Sequence, residues 1–275
     1  MKRTSPPAMA LIVAFGLFWL VVCLLPFWQL VSVTFSTPDR GIAATFWPNN
    51  FAQGIQNIQD AVAQTGILPS MGQTFCYVMT AIAGMLLVSS LAAYELSCFH
   101  FPGRGAVFML ILSSMMLPVI VYIIPLFRFV FKLGLSDTLL GLAIPFIPSA
   151  FAVFIMRQFL ESLPRDLIEA GEIDGASHFG IFWRIVLPLM KTPVMTVAII
   201  QFMQIWGTFL WPTLVGGTRW KPVSVLIAGL LGDGSWLESR VKIAAMLVSA
   251  VPLVAVYLFC QRYIVEGIAT SGLKG

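Results

Sequence analysis

The stretch LPRDLIEAGEIDGASHFGIFWRIVLPLMKTP, residues 163–193, lies between two long apolar runs that carry no charge. Pro164 suits the first turn of a helix, where a missing N–H costs nothing. Arg165 to Ile173 read as a short helix, and Asp174-Gly175 is a turn signal in which glycine can take a positive φ. Ser177 can cap a second short helix. On that helix Phe179, Phe182, Trp183 and Val186 recur at i, i+3, i+4 and i+7, an aromatic and apolar stripe. Such a helix-turn-helix is too polar to cross a bilayer and too apolar on one face to stay idle in water. It is expected to dock into a groove on something else, as amphipathic helices do.

Outward from it, composition bounds the class. Of 275 residues, 59% are hydrophobic and 10% charged, and the mean hydropathy is +0.91. A soluble domain carries about 25% charged residues, so this is a membrane protein. The net charge of +4 is small and no Lys/Arg cluster points to nucleic acid. Cys23, Cys76, Cys98 and Cys260 form no CxxC pair and are read as packed thiols, not disulfides or metal ligands. Lys2-Arg3 before an apolar run resembles a leader. That run outlasts an h-region of about 7–15 residues and no small-residue cleavage site follows, so it is read as an uncleaved first span.

A spanning helix needs about 20 mostly apolar residues. Six stretches qualify: 8–33, 75–94, 105–127, 138–156, 194–214 and 243–260, none containing Asp, Glu, Lys or Arg. The expected fold is therefore an all-α integral membrane bundle of six transmembrane helices, read as one domain, with the helix-turn-helix (163–188) between spans four and five. With the N-terminus inside, the inner segments hold Lys2, Arg3, Arg104, Arg157, Arg165, Arg184, Lys191, Arg262 and Lys274, nine of the 16 Lys and Arg, against seven outside. The positive-inside rule thus leans only slightly toward cytoplasmic termini.

Between the first two spans Phe51, Ile55, Ile58 and Val62 recur at helical spacing, as in a helix lying on the membrane or on a neighbouring subunit. Pro118, Pro125, Pro145 and Pro148 fall in spans three and four. Two readings stand for them: packing kinks, or helices curved around a cavity that opens and closes. In span five Gln201, Gln204 and Thr208 recur at i, i+3 and i+7, with Trp211 nearly in line. Buried amides cost several kcal/mol unless hydrogen-bonded, so this face either joins helices or lines a wet path for a polar solute. Residues 215–240 read as a Gly-rich external loop anchored by Trp220 and Trp236.

Glu169-Ala170, then Gly175, then Ile185 and Leu187-Pro188 reproduce the spacing of the EAA loop of ABC-importer permeases. Ile173-Asp174-Gly175-Ala176 and Leu187-Pro188-Leu189 are similar to the carbohydrate-uptake branch, the maltose-type (MalG-like) inner-membrane subunit. Ala92-Ala93-Tyr94, Phe101-Pro102-Gly103-Arg104 and the terminal Ser271-Gly272-Leu273-Lys274-Gly275 share the likeness. Gly171 departs from it, standing where the family usually has alanine, and so does Gly207, where asparagine commonly follows the tryptophan. The resemblance implies that Glu169, Ala170, Gly171, Asp174, Gly175, Ala176, Ile185, Leu187 and Pro188 couple the chain to an ATPase. It implies that Gly272, Lys274 and Gly275 touch the same ATPase. Its expected partners are an ABC ATPase dimer, a second homologous permease, an extracytoplasmic solute-binding protein approached by residues 216–234, and membrane lipid. It sets the loop and both termini on the cytoplasmic side of a bacterial or archaeal inner membrane.

The chain has no GxxxxGK[ST] segment, so no cofactor is expected in it; ATP and Mg belong to the partner ATPase. His100 and His178 are its only histidines and lie far apart, which argues against a His-based catalytic pair. No intramembrane carboxylate is present to couple a proton or Na⁺ gradient. A stand-alone secondary transporter or channel is the alternative class, and a scaffold tethering a soluble protein is a third.

Overall fold

Helix formation follows the apolar runs and breaks at Pro118 and beside Pro148, whereas Pro26, Pro125 and Pro252 lie inside helices. The computed structural model describes residues 6–37, 45–164, 166–232 and 236–272, and among them there is no strand. In chain order the helices are α1 (Pro6–Thr34), α2 (Phe51–Thr65), α3 (Ile67–Cys98), α4 (Arg104–Ser113), α5 (Val119–Lys132), α6 (Leu139–Ala143), α7 (Ala150–Leu160), α8 (Asp166–Ile173), α9 (His178–Ile181), α10 (Leu187–Leu189), α11 (Lys191–Trp206), α12 (Leu210–Val215), α13 (Val223–Leu231) and α14 (Ser239–Gly272). A π-helical stretch, Phe182–Val186, joins α9 to α10.

Among the described residues, three helices are long and apolar enough to cross a membrane: Met9–Thr34, Ile67–Cys98 and Ser239–Gln261. Three further pairs qualify only when two helices are taken together across a bend. Those bends are 101° between Arg104–Met116 and Val119–Lys132, 49° between Leu139–Phe146 and Ala150–Leu160, and 71° between His178–Leu189 and Lys191–Trp206. The stretch 105–127 is therefore not one continuous helix, nor is 138–156. Pro118 lacks the N–H that would continue α4 and instead caps α5 in an extended conformation (ψ 136°). Pro145 and Pro148 flank the second break.

Span five is corrected in the same way. A single helix over 194–214 was expected; α11 ends at Trp206, Gly207 caps it and a separate α12 begins at Leu210. Residues 215–240 are not all loop either, since α13 occupies Val223–Leu231.

The chain divides into two compact units, Met1–Pro69 with Leu226–Val251, and Ser70–Val225 with Pro252–Gly275. In the first, α2 packs by Gly54, Asn57, Ala61 and Thr65. Gly54 is required there, because a Cβ would lie 2.0 Å from the Phe35 ring. Asn57 donates to the Thr34 carbonyl at 2.7 Å, and Ala61 joins Leu237, Val241, Ala244 and Ala245 in a small core. Phe51 and Ile55 of the apolar stripe stay exposed. In α1 the most apolar window has none of its residues buried, as a helix apolar all round requires when lipid or another subunit surrounds it.

In the second unit Tyr77 of α3 is fully buried and its hydroxyl donates to the Ile205 carbonyl of α11 at 2.8 Å. Three polar side chains fasten the segment after α12. Asp137 accepts from the N–H groups of Arg219 (3.0 Å) and Trp220 (2.7 Å). Gln73 donates to the Arg219 carbonyl and accepts from the Lys221 N–H, both at 2.9 Å. Thr74 accepts from the Val223 N–H at 2.8 Å. Burial pushes the Asp137 carboxyl up, but the backbone donors of residues 217–220 outweigh it and hold the group below the usual carboxylate range. None of the four cysteines forms a disulfide; Cys23 and Cys76 are exposed and Cys98 and Cys260 half-buried, so the first two face outward instead of packing.

Candidate functional site

The helix-turn-helix forms where the sequence places it. Helix α8 runs Asp166–Ile173, with Asp166 and Glu169 in its first turn, where carboxylates complement the positive end of the helix dipole. It stops because Gly175 takes φ 78°. The Gly175 N–H then reaches the Glu172 carbonyl and the Ala176 N–H the Gly171 carbonyl, each at 3.0 Å. That is a Schellman ending, and it demands the left-handed region at Gly175. Ser177 opens the second helix, its hydroxyl accepting from the Gly180 N–H at 3.2 Å.

Small and large residues interlock between the two arms. Gly171 is buried, and a Cβ on it would meet the Ile185 and Ile181 side chains at 2.9 and 3.2 Å. Alanine in place of Gly171 is accommodated only if Ile185 shifts, which explains how this chain carries the exception. Ile181, Phe182 and Val186 are fully buried beneath the arms.

The aromatic stripe does not act as one face. Phe182 is 1% exposed and Phe179 66% exposed, with Trp183 exposed beside it. Phe179 and Trp183, at i and i+4, share the exposed side, and Phe182 and Val186, also at i and i+4, share the buried one, so the stripe straddles the edge between core and surface. Phe182 packs on Tyr94 of α3, ring centroids 5.5 Å apart. Phe179 and Trp183 meet edge to face at 5.9 Å on the outside.

The exposed surface of the motif gathers Leu167, Glu169, Ala170, Asp174, Phe179 and Ile173. Ile173, at the last position of α8, is 86% exposed. Sequence reasoning gave Ile173 no role, although an isoleucine between Glu172 and Asp174 just before a turn was the available signal. Ala176 and Ile185 are half-buried. Leu187 and Pro188 lie apart from that surface, where with Leu86, Leu87 and Trp183 they line an apolar groove of about 550 Å³. Glu172 faces His178 at 3.8 Å with both side chains half-exposed or more, a solvent-screened pair of little energetic weight.

The residues of the expected solute path are spread apart. Gln201 is buried and Gln204 exposed, and the Thr208 hydroxyl donates to the Gln204 carbonyl. Trp211 is not in line with them: the break at Gly207 turns it away, and its indole N–H donates to the Gly141 carbonyl at 3.2 Å. Phe202 and Trp206 are buried and stacked 5.4 Å apart. Gly272 is the last described residue; Lys274, Gly275 and Arg165 lie outside the described residues.

Residues 85–270 match the family described as the binding-protein-dependent transport system inner membrane component. The chain belongs to that family. It is an importer permease subunit, a multi-pass membrane protein, and its family implies an ATPase and a binding protein as partners. The likeness to ABC-importer permeases read between Glu169 and Pro188 is borne out. Among its relatives in the family, the arabinooligosaccharides transport system permease protein AraQ of Bacillus subtilis is 38% identical over 195 residues, covering 69% of this chain and 68% of the relative. The AraQ protein of Halalkalibacterium halodurans is 30% identical over the full length of both chains. The sn-glycerol-3-phosphate transport system permease protein UgpE of Yersinia enterocolitica is 37% identical over 202 residues, 72% of this chain and 71% of that one. The fold matches a crystal structure of a bacterial ABC transporter involved in the import of the acidic polysaccharide alginate, with TM-score 0.81 and 22% identity over 96% of this chain and 99% of that chain.

Proposed function

We propose that this permease passes a carbohydrate or related polar solute, delivered by an extracytoplasmic binding protein, across the membrane by alternating access. The bent pairs Arg104–Lys132 and Leu139–Leu160 count as spans three and four and the segment from α11 to α12 as span five, giving six in all, with both termini in the cytoplasm. A second, homologous permease completes the solute path, and an ABC ATPase dimer supplies the work. ATP and Mg belong to that dimer; this chain hydrolyses nothing and contributes no cofactor site.

The observation that carries this reading is the glycine-ended helix-turn-helix, apolar beneath and studded with exposed Glu169, Ile173 and Phe179. Such a knob suits a groove on a partner. Glu169 makes the polar contact there, Ala170 and Gly171 permit close approach, and Asp174, Gly175 and Ala176 form the turn. Ile185, Leu187 and Pro188 join the motif to span five, and closure of the ATPases shifts the whole and rotates the spans. Gly272, Lys274 and Gly275 add a second ATPase contact. Gln201 and Gln204 are the groups of this chain offered to solute hydroxyls, with Thr208 beside them. Arabinooligosaccharides and sn-glycerol-3-phosphate, the solutes named for the relatives, set the class to be screened.

Co-purification tests the reading. The wild-type chain, expressed with its neighbouring transport genes, retains a Walker-type ATPase in detergent, and Glu169→Lys loses it. An ATPase never retained, with uptake that persists in its absence, would instead mark a stand-alone transporter or channel.

A further inference from the structure

We propose that residues 94–104, from the end of α3 to the start of α4, form a brace that grips the second arm of the helix-turn-helix and the end of α7 that leads into its first arm, with Arg104 as its positioning residue. The inference rests on the reading of residues 163–188 as the coupling element, and goes beyond it by naming how displacement reaches spans two and three.

The first grip is on the second arm. The Tyr94 hydroxyl donates to the His178 carbonyl at 3.3 Å, and the Tyr94 ring lies 5.5 Å from that of buried Phe182. Phe99 meets the His178 ring edge-on, 4.9 Å away at 78°, and packs against Tyr94 at 5.4 Å. The second grip is on the approach to the first arm. Arg104 opens α4 and stands 3.7 Å from Glu161, at the end of α7. Its guanidinium also donates to the Phe99 carbonyl at 3.3 Å, tying the two grips together.

Glu161 takes a second cation, Arg157, one turn earlier on α7. The Arg157 guanidinium lies 3.7 Å over the Phe108 ring of α4. Both arginine side chains are largely buried, 19% and 14% exposed, so water screens these contacts less than a surface pair. The Arg157–Glu161 pair sits within one helix and would form without the link. The Arg104 contact adds nothing to that helix; what it adds is attachment of α4 to the segment leading into α8. A shift of the helix-turn-helix must therefore carry the ends of α3 and α4 with it, because two aromatic contacts and one ion pair would otherwise break together.

The test uses the complete complex, with its ATPase and binding protein, in proteoliposomes, and reads solute taken up per ATP hydrolysed. Arg104→Met keeps the Arg157–Glu161 pair and removes the Glu161 cross-link together with the bond to the Phe99 carbonyl. It is expected to leave subunit retention and ATP hydrolysis near wild type while uptake per ATP falls several-fold. Arg104→Lys keeps the charge and restores most of the ratio. Phe99→Leu, which loosens the other grip, lowers the ratio independently. An unchanged ratio in Arg104→Met and Phe99→Leu overturns the brace. So does a loss of uptake that merely follows loss of the ATPase from the complex, since that is assembly and not transmission. Uptake by the wild type without ATP would sink the underlying reading, and the brace with it.

Discussion

Two residues carry most of their weight through backbone conformation and charge. Gly175 has open space around a would-be Cβ, so substitution there meets strain and not collision. Its φ of 78° is a region that β-branched residues avoid, at a cost of about 1–3 kcal/mol. Gly175→Val is therefore expected to insert and fold but to misplace Ala176 and Ser177, so that ATP hydrolysis persists while uptake is lost. Uptake at the wild-type rate would refute that role. Asp137 acts by its charge. Its carboxyl titrates lower in the folded chain than unfolded, so its contribution is complete above the ordinary value of about 3.9. It is lost as pH falls through that value toward the folded one. Hydrogen-exchange protection at residues 217–220, measured against the intrinsic rate at each pH, should fall below about pH 4 in the wild type. Asp137→Asn should exchange faster already at neutral pH, with no further acid step.

At the scale of the element, burial divides the aromatic residues into two jobs. Phe182 is buried on Tyr94 and Trp183, whereas Phe179 stands in the open. Phe182→Ala should cost about 3–5 kcal/mol of stability, the range for deleting a core phenylalanine, and be seen as a lowered Tm in detergent. Phe179→Ala should shift stability by no more than about 0.5 kcal/mol, as surface changes do, yet weaken ATPase retention. Equal effects of the two on stability would contradict this division. The 3.6 period groups all four residues in one broad stripe and could not place its buried edge, because packing of Phe182 on Tyr94 of another helix sets that edge. Where ordinary local chemistry rules, as in the Ser177 cap and the Gly175 ending, sequence and structure agree.

At the scale of the whole chain, orientation is the open quantity, and nine inner cations against seven outer ones leave the charge rule almost balanced. Reporters fused at residue 1 and after residue 275 should both be active only on the cytoplasmic side. Opposite-side activity of the two would remove one span from the count. The amino-acid sequence alone determined the membrane class, the all-helical build, the family and the helix-turn-helix, because apolar content, proline, glycine and capping residues act within a turn or two of the chain. It could not say that 105–127 bends by 101°, that α11 ends at Gly207 and sends Trp211 to Gly141, or that Arg104 meets Glu161. The Trp211 and Arg104 contacts depend on partners tens of residues away, and although Pro118 and Gly207 mark where the chain can break, the size of each turn is set by how the helices pack.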